Sequence, residues 1–129
     1  MLLVDSNVYI DWLRKRELPE QHLRRWIIAG EAAICGIIRI EVLRGIIAPG
    51  VKMRMQSVFD AMIDVPTSNH LLYEATELAW ALDRKEILLS VPDLLIAQVA
   101  RQLGATLITK DSVFAKIPGV RVRPELPPG

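Results

Sequence analysis

Met1-Leu2-Leu3-Val4-Asp5-Ser6-Asn7 opens the chain. Its apolar run is short and does not alternate with polar residues, the pattern of a strand buried on both faces. Asp5 stands where that strand stops, and Ser6 can cap a helix over residues 8–14. Thr106-Leu107-Ile108-Thr109-Lys110-Asp111 repeats the arrangement near the other end, an apolar strand followed by polar residues. Further strand signals lie at Ala32–Cys35, 64–65 and 120–122. Helical signals fill the gaps. Pro19 opens a helix through residue 29, and two more cover residues 37–47 and 51–63. Ser68 can cap a fifth, with Leu71, Leu72, Ala75, Leu78, Ala79 and Leu82 on one face at three-to-four spacing. Pro92 opens a sixth that Gly104 ends. Strands alternating with helices predict an α/β fold with a mainly parallel sheet and helices on both faces. Chain order alone does not give the strand order.

The 129 residues suit one domain, spanning 1–129, large enough for a core without disulfides or structural metals. Hydrophobic residues make up 51% but aromatics only 5%, so the apolar mass is Leu, Ile, Val and Ala, as helices packed on a buried sheet require. No apolar run is long enough to span a bilayer, and no basic stretch precedes the first apolar one. A cytoplasmic protein without a secretory signal or membrane partner is therefore expected. Cys35 is the only cysteine and sits in an apolar segment, which reads as a buried, inert thiol in a reducing compartment. There is no internal repeat or linker, and the Pro-rich tail, residues 124–129, is the stretch expected to fray.

Active sites in such folds gather at the carboxyl ends of the strands. Asp5 ends the first strand, and Asp111 follows Leu107-Ile108-Thr109 by two residues. Asp93 lies in the first turn of the helix that Pro92 opens. Glu41 lies one turn into the helix after Ala32–Cys35. Each has a plainer reading. An Asp after a strand often caps the next helix, and Asp93 favours its helix dipole by roughly 0.3–1 kcal/mol. Glu41, within Ile37-Ile38-Arg39-Ile40-Glu41-Val42-Leu43, could pair with Arg44 or Arg39. A cap explains Ser6 or Asn7 better than it explains Asp5.

Separate caps would not explain the shared location. Converging carboxylates repel one another, and at least one is pushed up in pKa unless a cation is present. Hard oxygen donors with no His or Cys cluster nearby suit Mg²⁺ or Mn²⁺. Such an ion lowers the pKa of bound water and clamps a phosphodiester for in-line attack. The four carboxylates are expected within roughly 2–6 Å of a common point.

Four segments together resemble a known family. Val4-Asp5-Ser6-Asn7-Val8-Tyr9 is similar to the opening motif of PIN domains, and Glu41-Val42-Leu43-Arg44-Gly45 to their Glu-Leu-x-x-Gly. Pro92-Asp93-Leu94-Leu95-Ile96-Ala97 resembles their third acidic motif. The fourth motif is matched by Thr106-Leu107-Ile108-Thr109-Lys110-Asp111-Ser112-Val113-Phe114, with Ile117-Pro118-Gly119-Val120 following as in many VapC-type toxins. The match runs in order over nearly the whole chain. The resemblance implies a parallel five-stranded sheet between helices and a Mg²⁺- or Mn²⁺-dependent endoribonuclease, the toxin of a VapBC-like toxin–antitoxin pair. It assigns Asp5, Glu41, Asp93 and Asp111 to metal and catalysis, with Ser6, Asn7 and Thr109 in support. It implies an RNA substrate, a cognate antitoxin and a homodimer. Val113 stands where many members carry another acid, and Arg39 where small hydroxyl residues are common.

A net charge of +1 leaves RNA binding to local clusters. Arg39, Arg44 and Lys110 lie close in sequence to the acids and are candidate RNA contacts. Trp12, Trp26 and Trp80 fall in helices, where core or dimer packing outranks base stacking, and His22 and His70 read as surface residues. Three rivals stand beside the nuclease. A metal-dependent phosphatase with an Asp nucleophile looks for a second Asp two residues after the first, where this chain has Asn7. A receiver-like module needs adjacent acids after strand one, where Ser6 follows Asp5. A non-catalytic PIN-like RNA- or protein-binding module would not need all four acids.

Overall fold

The structure, a computed structural model, describes residues 1–128. The chain runs β1 (Leu2–Val4), α1 (Ser6–Arg14), α2 (Pro19–Ile28), β2 (Ala32–Cys35), α3 (Gly36–Leu43), α4 (Pro49–Asp60), β3 (Ile63–Val65), α5 (Asn69–Arg84), α6 (Val91–Leu103), β4 (Thr106–Ile108), a 3-10 helix (Ser112–Lys116) and β5 (Arg121–Arg123). All five strands are parallel, in the order β3-β2-β1-β4-β5, and the α-helices flank them as a PIN-like α/β/α sandwich. The central strands β1 and β2 are buried throughout, which is why Leu2-Leu3-Val4 and Ala32-Ala33-Ile34-Cys35 show no alternation. Tyr9, fully buried, meets Trp12 and Phe59 edge-on at 5.7 and 5.2 Å and fixes α1 over the core.

The order of the strands positions the site. From β1 the chain moves outward to β2 and β3, then crosses back to place β4 on the other side of β1. The carboxyl ends of β1 and β4 therefore flank a topological switch point, the crevice where open α/β sheets bind ligands.

Several boundaries differ from the sequence expectation. The third helix stops at Leu43 rather than 47, and the fourth begins at Pro49 rather than 51. Ile46, Ile47 and Ala48 prolong the apolar pattern, but Pro49 forces Ala48 into extended backbone (ψ 119°), so a helix cannot run through. Ile47 is left 98% exposed. The last strand is Arg121–Arg123, one residue later than expected, because Gly119 (φ +80°) turns the chain through Val120. On that edge strand Val122 faces inward while both arginines are exposed, a charged edge that resists pairing with another sheet. The tail is better anchored than expected. Leu126 packs against the core, and the Arg25 guanidinium donates to the Pro128 carbonyl at 3.1 Å. Gly129 lies outside the described residues.

Gly104 ends α6 in the left-handed region (φ +61°), and Ala105 N–H reaches back to the Ala100 carbonyl at 3.0 Å. A Cβ there would meet nothing within 4 Å, so only the backbone resists a side chain. Gly104→Ala is expected to cost about 1–2 kcal/mol, read as a lower urea midpoint at unchanged m.

Candidate active site

Val4 pairs with Ile108, and the Asp5 N–H donates to the Ile108 carbonyl at 2.8 Å. The next residue on each strand, Asp5 and Thr109, therefore stand side by side just past the sheet. They are buried to 3% and 2% exposure. The Thr109 hydroxyl donates to Asp5 Oδ2 at 2.8 Å and accepts from Asn7 Nδ2 at 3.2 Å and from the Asp111 N–H at 3.1 Å. Asn7 also donates to Asp5 Oδ2 at 3.3 Å, and its Oδ1 accepts from the Lys110 N–H at 3.2 Å. Thr109 is thus the junction between β1, the first turn of α1 and the loop that carries Asp111.

Asp5 is the N-cap of α1. Its Oδ1 accepts from the Ser6 N–H at 2.7 Å, which corrects the expectation that capping belongs to Ser6 or Asn7. The Ser6 hydroxyl is released to bridge outward, donating to Glu41 Oε1 at 3.1 Å. Glu41 makes no ion pair with Arg39 or Arg44 among the described residues. Asp111 caps the 3-10 helix through Val113 N–H at 3.0 Å, and the Asp93 N–H donates to Ser90 Oγ at 3.3 Å.

The four carboxylates feel one another. Burial pushes Asp5 up from the ordinary carboxylate range, against hydrogen bonds from Thr109 and Ser6, and the Asp111 charge adds to the rise. Burial also raises Glu41, with Asp5 and Asp93 adding to it, and Asp93, with Asp5 and Asp111 adding to it. Yet among the described residues no three Asp, Glu, His or Cys side chains stand close enough to hold a metal ion. The expected convergence on one point is therefore not reached. The physical reason lies in the local donors: Asp5 and Asp111 are turned onto the helix ends they cap, and Glu41 onto Ser6. The donor set itself, four carboxylates and no sulfur or imidazole, suits a hard dication.

A family model for the PIN domain matches residues 2–120. The chain belongs to the PIN-domain family. Solved structures match nearly its whole length. VapBC2 from Rickettsia felis bound to a promoter DNA fragment is 22% identical with a TM-score of 0.76, covering 95% of this chain and 96% of that one. DNA-bound VapBC from Salmonella typhimurium is 20% identical with a TM-score of 0.77 over the same shares. A toxin–antitoxin complex from Klebsiella pneumoniae is 27% identical with a TM-score of 0.66, covering 93% and 95%. Among curated proteins none matches at a significant level.

Around the acids of this PIN domain the cations are unevenly committed. Lys110 Nζ lies 2.9 Å from Asp11, which Lys15 also meets at 3.0 Å. Arg39 pairs with Asp60 at 3.0 Å and Asp64 at 3.8 Å, toward the β3 edge and not toward Glu41. Arg44 is exposed and makes no ion pair among the described residues. Sequence reasoning missed two residues. Ser90, three before Asp93, carries the capping-box spacing and was legible. Asp11 has the i,i+4 spacing to Lys15, but nothing local announces its bond to Lys110. His22 is half-buried, stacked on Trp12 at 4.4 Å and bonded to Glu17, so it is more fixed than a free surface histidine.

Proposed function

We propose that this PIN domain is a Mg²⁺- or Mn²⁺-dependent endoribonuclease and the toxin of a VapBC-like toxin–antitoxin pair. The observation that carries the reading is the acidic group at the switch point, with Asp5 tied to Glu41 through Ser6 and to the Asp111 loop through Thr109. Asp5, Glu41, Asp93 and Asp111 would hold the ion. When bound, it supplies an activated water and neutralises charge on the phosphodiester. Thr109, Asn7 and Ser6 keep the Asp5 and Glu41 oxygens oriented and ionised by donating to them. The antitoxin partner is supported by the VapBC and toxin–antitoxin complexes this fold resembles. Cleavage of single-stranded RNA that requires Mg²⁺ or Mn²⁺ and stops with EDTA is the expected result. Phosphomonoester hydrolysis without RNA cleavage would favour the phosphatase instead, and RNA binding without hydrolysis the non-catalytic module.

The acid group predicts an inverted pH response. A carboxylate raised in the folded state contributes stability that is present below its unfolded pKa and lost as pH rises through its folded pKa. Asp5, Glu41 and Asp93 are all raised, chiefly by burial. They are expected to make the metal-free protein less stable as pH climbs from about 4 toward neutrality. Asp11 shifts the opposite way through Lys110 and Lys15, but it is solvent-accessible and screened. Excess Mn²⁺ at neutral pH should restore about 2.7 kcal/mol at a hundred times its Kd. Urea melts across pH, with and without Mn²⁺, check both effects, and identical curves would contradict a shared cation site.

We also propose a homodimer. Tyr73 and Trp80, seven residues apart on one face of α5, are each 63% exposed, and Leu72 beside them is 43% exposed. A second copy would cover an apolar face that one sheet does not need. Light scattering is expected to give twice the 14.5 kDa chain mass. A monomer at high concentration would count against it.

A further inference from the structure

Resting on the nuclease reading, we propose that the RNA strand runs from the acid cluster into the groove between α3 and α4, where Arg44 and Lys52 hold its phosphates. The groove, of about 470 Å³, is lined by Arg39, Ile40, Leu43, Arg44, Ile46 and Lys52. Half of these are cations and none is acidic. Arg39 is already shared between Asp60 and Asp64. Arg44 and Lys52 make no ion pair among the described residues, so their charge faces solvent uncompensated.

Arg44, the C-cap of α3, follows Glu41 by three residues in helical backbone, and residues at that spacing are surface neighbours. The groove therefore begins one turn from a carboxylate of the proposed centre. Ile40, on α3 between the two basic walls, is 60% exposed and offers an apolar seat for a base. A chain with a net charge of +1 attracts a polyanion only through such local fields. Lys110, the cation nearest the acids in sequence, is spent on Asp11. Arg44 and Lys52, neither of them in an ion pair among the described residues, instead offer their charge on the α3–α4 side, next to Glu41.

The test is salt-dependent binding of a fluorescent single-stranded oligoribonucleotide of about 12 nucleotides, followed in EDTA by anisotropy. The same salt slope is read from KM in Mn²⁺, so cleavage and binding report on one surface. Each phosphate contact contributes about 0.7 to the slope of log K against log salt for a single strand. Arg44→Gln with Lys52→Gln should lower the slope by about 1.4 and weaken binding about ten-fold at low salt, for uridine homopolymer and mixed sequence alike. Arg84→Gln with Lys85→Gln removes the same charge from the far end of α5, below the amino edge of the sheet, and should leave the slope unchanged. If the Arg44/Lys52 variant keeps the wild-type slope while RNA is still bound and cut, the groove is overturned and the nuclease reading survives. If the wild type neither binds nor cuts RNA, both fall. If the variant loses a poly-glutamate peptide but not RNA, the groove belongs to an acidic protein segment, which also overturns the proposal.

Discussion

Asp5→Asn is expected to lower RNA cleavage by several orders of magnitude while leaving a folded protein. Asn keeps the size of Asp but removes one charge from the carboxylate set, and hard dications bind charged oxygens in preference. The mutant should therefore lose most of the Mn²⁺-induced rise in melting temperature that the wild type shows. The metal-free stability follows from two opposed contributions. Burial raises the Asp5 pKa, so its charge is a liability in the folded state at neutral pH, and Asn removes it. Against this, the Asp5 oxygens accept every hydrogen bond they make: Oδ1 from Ser6, Oδ2 from Thr109 and Asn7. The Asn oxygen can keep the Ser6 cap, since Asn caps nearly as well as Asp. Its amide would then face Thr109 and Asn7, where donors already point inward. The two contributions have opposite signs, so the metal-free melting curve should move little. Melting with and without Mn²⁺, beside cleavage, checks the whole pattern. A mutant with wild-type cleavage would remove Asp5 from the mechanism.

Capping and catalysis are not alternatives at this residue. From sequence they look like competing explanations, because each predicts an acid after a strand. In the structure Asp5 spends Oδ1 on the helix start and keeps Oδ2 within the polar cluster around Thr109. Asp111 likewise caps the 3-10 helix. Helix capping holds these carboxylates at the strand ends, where a parallel sheet directs its functional groups.

What was legible depended on how much sequence each feature occupied. β1 and β4 could be read because unbroken apolar runs end on polar residues, a pattern that burial on both faces imposes. β3 and β5 are edge strands in which exposed charges, Asp64 and Arg121 with Arg123, break the apolar run, so nothing in the local pattern fixes their ends. The α3–α4 break was hidden by Ile46 and Ile47, which continue an apolar pattern the backbone abandons before Pro49. Asp5 and Asp111 could be read after strands, and Glu41 and Asp93 near helix starts, one at a time. The adjacency of β1 and β4, which puts Asp5 beside Thr109, is a property of strand order and has no local signature. For the same reason the engagement of Lys110 by Asp11 and of Arg39 by Asp60 lay beyond sequence reasoning, since both join distant elements.

Thr109→Val tests that adjacency. Valine matches threonine in shape, so the packing of a residue 2% exposed is kept and only the hydroxyl goes. Three partners are then affected. Asp5 Oδ2 loses its 2.8 Å donor, and Asn7 Nδ2 and the Asp111 N–H lose their shared acceptor. A lost hydrogen bond to a charged group costs about 1.5–3 kcal/mol, and a buried donor left unpaired about 1–3 kcal/mol. Asn7 and Asp111 are less buried than Asp5 and recover part of their loss from water, so a net cost of about 2–4 kcal/mol is expected at neutral pH. The pH dependence identifies the cause. Thr109 lowers the Asp5 pKa by donating to the ionised form, so without it the folded-state pKa rises further above the unfolded value. The deficit of the variant should therefore grow as pH increases through the Asp5 titration and shrink in acid, where Asp5 is protonated in both proteins. A packing defect would give a deficit independent of pH. Thr109→Ser, which restores the hydroxyl without the methyl, should recover the pH dependence and much of the cleavage, leaving only the cost of a small cavity, about 1 kcal/mol. Cleavage by Thr109→Val should fall sharply even where the protein is fully folded, because the Asp111 loop and Asp5 lose the atom that joins them. Full activity in a folded Thr109→Val protein would show that the junction serves stability alone.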